Sequence, residues 1–134
     1  MLFDRRAELN VLIRLALIDN VLHPKEAGLI RVIGRANDIP LTDIEELIQN
    51  PEPEMDLHAM TEEEKFEHLF YLVLLMKADG RVLTTEIEFC EAIAGKLDYK
   101  PGVIGALSSH IYSDPGIQVD HSFLMQKMEA YRKH

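Results

Sequence analysis

Leu9-Asn10-Val11-Leu12-Ile13-Arg14-Leu15-Ala16-Leu17-Ile18-Asp19-Asn20-Val21-Leu22-His23-Pro24-Lys25-Glu26 is written a second time, in diverged form, as Leu69-Phe70-Tyr71-Leu72-Val73-Leu74-Leu75-Met76-Lys77-Ala78-Asp79-Gly80-Arg81-Val82-Leu83-Thr84-Thr85-Glu86. Sliding the 134-residue chain against itself by 60 positions aligns its two halves without a gap. Leu9 meets Leu69, Leu12 meets Leu72, Leu15 meets Leu75, Asp19 meets Asp79 and Glu26 meets Glu86. Further along, Ile33 meets Ile93, Asp38 meets Asp98, Ile44 meets Ile104 and Leu47 meets Leu107, which makes nine identities in register. The repeats span about 9 to 48 and 69 to 108.

The matched apolar positions recur three, four or seven residues apart, which places them on one face of a helix rather than alternating across a strand. The first helix of each copy, through Leu9, Leu12, Ile13, Ala16 and Leu17 or through Leu69, Leu72, Val73 and Met76, is apolar almost all round and belongs at the centre. His23-Pro24-Lys25-Glu26 starts the second helix, with Pro at the first helical position, and that helix runs to about Asn37. Thr42 to Glu45 and Thr61 to Glu64 both have capping-box spacing and open a third and a fourth helix. The prolines of Asn50-Pro51-Glu52-Pro53-Glu54 break the helix between the halves. The second copy continues through helices from about Thr84 to Leu97 and Pro101 to Tyr112. A turn at Ser113-Asp114-Pro115-Gly116 follows, and Asp120 caps a last helix to about Arg132. The class is all-α, with about seven helices in a single domain over 1–134.

Asp and Glu outnumber Lys and Arg 23 to 14, so the surface repels phosphate backbones and anionic lipids unless its cations gather on one face. Nine of the acids fall between Leu41 and Glu64, where no Lys or Arg occurs. The expected partners are therefore a protein or a second copy, not nucleic acid. The longest apolar run, Leu69 to Met76, is far short of the roughly 20 residues that span a bilayer, so no direct membrane insertion is expected. A single cysteine, Cys90, and an N-terminus unlike a secretory signal suit a cytoplasmic protein.

Asp19 with Glu26, and Asp79 with Glu86, keep one seven-residue spacing in both copies, each pair flanking a short interhelical loop. Two readings stand side by side. Hard cations such as Ca²⁺ and Mg²⁺ are held by carboxylate and carbonyl oxygens, which a tight loop can supply. Equally, Asp tolerates turns, and Glu at the third position of a helix caps its free amides. Neither loop has the Asp-x-Asp-x-Asp-Gly run of an EF-hand. Asp79-Gly80 supplies a glycine for a left-handed turn where the first copy has Asn20, which makes the second loop the better candidate.

Lys77-Ala78-Asp79-Gly80-Arg81-Val82-Leu83-Thr84-Thr85-Glu86 resembles the Asp-Gly…Glu signature of the TerB-like superfamily, named for tellurite-resistance proteins and found also ahead of the J-domain in membrane-anchored co-chaperones. Leu17 to Glu26 looks like its partner motif, with Asn20 for Gly and a hydrophobic Val21 as departures. The resemblance covers nearly the whole chain. It implies an all-α, internally pseudo-symmetric fold, no catalysis, and divalent metal (Ca²⁺, Mg²⁺ or Zn²⁺) at Asp19, Glu26, Asp79 and Glu86.

Other signals are weaker. No zinc spacing such as His-Glu-x-x-His occurs among the six histidines. Glu64 and His68, four apart, read as a solvated helix face with a shared metal as the alternative. Cys90 reads as a small core residue. Phe123, Leu124 and Met128, with Met125, read as core packing, with a partner surface as the alternative. No phosphate loop, nucleophile elbow or dinucleotide fingerprint exists, so the expected function is a non-enzymatic interaction or stress-response module, the alternative being a purely structural oligomerisation or adaptor domain without ligand.

Overall fold

The computed structural model describes residues 5–18, 22–52, 60–78, 82–111 and 121–133. Within them lie seven helices: α1 (Arg5–Ala16), α2 (Pro24–Ala36), α3 (Leu41–Gln49), α4 (Glu62–Met76), α5 (Thr84–Lys96), α6 (Val103–Ser108) and α7 (His121–Glu129). The described residues contain no strand, only an isolated antiparallel bridge between Tyr99 and Arg132. None of the described helices is long and apolar enough to cross a membrane.

α1 and α4 are central because their C-terminal stretches, 9–16 and 69–76, are mostly apolar. Leu12, Ile13, Leu15, Leu69, Leu72, Val73 and Leu75 are all fully buried in one hydrophobic cluster. The two helices pack on each other; α1 also meets α2, α3 and α5, and α4 also meets α5, α6 and α2. The bounds of α2 and α5 differ by sixty residues at both ends. Gly34 lets α2 approach α3, since a Cβ there would stand 2.6 Å from Ile44 Cδ1.

Both of these helices end in the same way. Asp38 and Asp98 hold left-handed backbone, with φ of 62° and 69°. Asp38 N–H donates to Arg35 O at 3.1 Å and Ile39 N–H to Gly34 O at 3.0 Å; Asp98 N–H donates to Gly95 O and Tyr99 N–H to Ala94 O, both at 3.1 Å. This is a Schellman cap, and it explains the repeated Asp without any ligand, because Asp enters the left-handed region more readily than other residues with a Cβ. The buried Ile39 and Tyr99 supply its apolar contact. Asp38→Val and Asp98→Val should each cost about 1–2 kcal/mol in urea unfolding, since β-branched residues resist this conformation. Substitutions without effect would mean that these helix ends take another form in solution.

Two local expectations need correction. Thr42 does not cap α3: Pro40 precedes the helix, and Glu45 is drawn sideways to Arg31, with Nε–Oε1 at 2.6 Å and Nη2–Oε2 at 3.3 Å. The helix expected over Pro101 to Tyr112 is only Val103–Ser108 within the described residues. Gly102, at φ 98°, turns the chain into it, and Glu91 receives Gly102 N–H and Ile104 N–H, each at 3.0 Å. A carboxylate on free N-terminal amides neutralises both their unmet bonds and the helix dipole. At the other end Lys77 Nζ donates to Ser108 O at 2.7 Å and Ile111 O at 2.5 Å, which satisfies carbonyls that a longer helix would have used. Thr61 does form its full capping box, accepting from Glu64 N–H at 3.1 Å while Glu64 Oε1 accepts from Thr61 N–H at 2.9 Å.

Candidate functional site

Of the four acids expected at the interhelical loops, Glu26 and Glu86 are placed, and Asp19 and Asp79 lie outside the described residues. Each glutamate is the third residue of its helix, and each is buried, at 3% and 6% exposure. Glu86 Oε1 accepts from Leu83 N–H at 2.9 Å, the carboxylate half of a capping box; Leu83 has no side-chain acceptor to complete it. Among the described residues no three His, Cys, Asp or Glu converge as ligands of one ion.

Cys90, one turn beyond Glu86, is fully buried. Burial, and then the charges of Glu86 and Glu91, push its thiol up to about 12, so it stays protonated and packs as an apolar group.

The histidine expected on a solvated face is instead completely buried. His68 lies at the α1–α4 contact with Nδ1 3.6 Å from Glu8 Oε1, and Glu8 is itself 2% exposed. Glu8 Oε2 is bonded by Arg5 Nη1 at 3.1 Å, and Arg5 Nη2 reaches Glu64 at 3.2 Å. Glu8 Oε1 and both His68 ring nitrogens have no hydrogen-bond partner among the described residues. Sequence reading passed over Glu8, although positions 8 and 68 are sixty apart and the repeat itself sets a carboxylate opposite an imidazole. Asn10 was missed too. Fully buried on α1, it grips the interhelical link through Nδ2 to Glu52 O at 3.0 Å and Oδ1 from Glu52 N–H at 2.8 Å.

Beyond this cluster a groove of about 270 Å³ opens between α4 and α7, lined by Glu63, Phe66, Glu67, Phe70, Tyr71 and Met125. Tyr71 donates its hydroxyl to Glu67 Oε1 at 2.9 Å. Burial first, then this bond and the charges of Glu67 and Glu8, push its phenol up to about 12. On α7, Leu124 and Met128 are core residues, as the packing reading expected. Phe123 is 41% exposed, edge-on to His110 with ring centres 5.1 Å apart.

Compared with protein-family models, with curated proteins and with solved structures, the chain matches none.

Proposed function

We propose that the chain is a non-catalytic, cytoplasmic interaction or stress-response module of TerB-like type that takes a divalent cation at its acidic interhelical loops. The observation that carries this reading is the matched burial of Glu26 and Glu86 at the third position of α2 and α5. A carboxylate at the start of a helix, next to a short interhelical loop, is the type of oxygen ligand that suits a hard, oxygen-seeking ion. The single hydrophobic cluster supports one domain.

Calorimetric titration with Ca²⁺, Mg²⁺ and Zn²⁺ tests the cation. The unmutated chain is expected to give heat with at least one ion, and Asp79→Asn with Glu86→Gln to lower it while circular dichroism stays unchanged, since ligand charge is lost and shape is kept. No heat from any of the three ions would remove the cation and leave the glutamates as caps. Glu86→Ala would then cost on the order of 1 kcal/mol.

Nucleic acid stays outside the proposed partners. Arg5 and Arg31 are held in ion pairs with Glu8, Glu64 and Glu45, and Arg14 lies over the Phe89 ring at 5.6 Å, so these three of the 14 Lys and Arg are already engaged. Gel shift with duplex and single-stranded oligonucleotides at about 150 mM salt, where surface fields reach about 8 Å, should show no retardation. Salt-sensitive retardation would expose a basic face and overturn the assignment.

A further inference from the structure

The groove between α4 and α7, at about 270 Å³, falls at the lower edge of the roughly 300 to 1,000 Å³ typical of pockets for drug-sized ligands. A cavity of about 150 Å³ holds one benzene-sized group, so this one takes one or two large apolar side chains. Its apolar lining comes from Phe66, Phe70, Tyr71 and Met125, and aromatic residues and Met are the types enriched where proteins bind one another. The Tyr71 hydroxyl is already held by Glu67, so that wall loses little freedom on binding.

Charge selects the occupant. Glu63 and Glu67 are the carboxylates lining the groove, and among the described residues no basic side chain lines it. The neighbouring acids are spoken for: Glu62 and Glu129 by Arg132, at 3.1 Å and 3.3 Å, and Glu64 by Arg5 at 3.2 Å. An acidic groove on a chain of net charge −9 disfavours a second copy, a nucleic acid and an anionic lipid surface alike. We propose that this groove docks a basic amphipathic helical segment of a partner protein, two apolar anchors one turn apart entering between Phe70, Tyr71 and Met125 while Lys or Arg beside them meets Glu63 and Glu67. The proposal rests on the interaction-module reading above and not on the cation.

The test uses the full chain, isotope-labelled for NMR, and a 14-residue helical peptide of Leu and Lys in amphipathic order, with its Glu-for-Lys analogue as control, at about 150 mM salt. The basic peptide should shift amides in 63–71 and around 125, and the acidic analogue should not. Glu63→Lys with Glu67→Lys should weaken binding about tenfold or more while circular dichroism still reports a folded helical chain. Because Glu67 also holds Tyr71, Glu63→Lys alone serves as a second variant and should weaken binding in the same direction. Shifts confined to other faces, or an affinity indifferent to both variants, would overturn the groove while leaving an interaction module intact. Sedimentation showing a dimer that these variants dissolve would overturn the choice of occupant in favour of a second copy. No binding of the basic peptide at millimolar concentration would overturn the docking proposal outright, and the cation titration would still report on the loops.

Discussion

Replacing Glu8 and His68 together, as Glu8→Met with His68→Leu, is expected to raise the stability of the protein by about 1–4 kcal/mol. The three polar atoms Glu8 Oε1, His68 Nδ1 and His68 Nε2 are buried without a hydrogen-bond partner among the described residues, and each such atom costs about 1–3 kcal/mol of unrecovered desolvation. Met and Leu keep roughly the volume and restore dispersion contacts at the α1–α4 crossing, and Arg5 keeps Glu64 as its partner. Glu8→Met alone should do the opposite, because it strips Arg5 of one carboxylate and takes from the buried imidazole the carboxylate 3.6 Å away. Urea unfolding of the parent, both single variants and the pair gives the result from midpoints at unchanged slope. A pair destabilised by more than about 1 kcal/mol would show that the two side chains are better satisfied than their geometry indicates.

Leu12→Ala and Leu72→Ala are each expected to cost about 2–5 kcal/mol, a large share of the 5–15 kcal/mol that holds a domain of this size together. Both leucines have no exposed surface, and each sits in the middle of one of the two central helices. The pair also tests the duplication. If residues 9 to 48 and 69 to 108 superpose about an approximate two-fold axis, the two truncations remove equivalent contacts from opposite sides of one core, and their costs should agree within about 1 kcal/mol. A disparity of more than about 2 kcal/mol would mean that helices sixty residues apart sit in unrelated surroundings, and that the aligned repeat is only shared amphipathic spacing.

The helices were legible because their signals are local. Apolar spacing, the Pro24 start and the Thr61 box placed α2, α4 and α5 within a residue or two, since backbone amides near a chain turn are met by side chains close in sequence. Reading failed where satisfaction comes from afar. Thr42 and Glu45 had the letters of a cap, but Glu45 found Arg31 fourteen residues away, and α6 is bounded by Glu91 and Lys77 from neighbouring helices. His68 was misread for a similar reason: a four-residue spacing to Glu64 says which residues share a stripe, not which helix will cover it. Of the loop acids, Glu26 and Glu86 could be foreseen as cap positions from their place after the loop. Their burial depends on packing that no local pattern encodes.

Lys77, whose ammonium closes the end of α6, stands two residues before Asp79. The first copy has Leu17 at the matching position. Lys77 and Arg81 therefore balance Asp79 and Glu86 within 77–86, whereas Lys25 alone opposes Asp19 and Glu26 within 17–26. The second segment is charge-balanced in sequence, whereas the first keeps an excess of one acid. Glycine's backbone freedom and electrostatic attraction to a cation thus pull in opposite directions: the segment whose sequence offers the glycine is the one without excess negative charge.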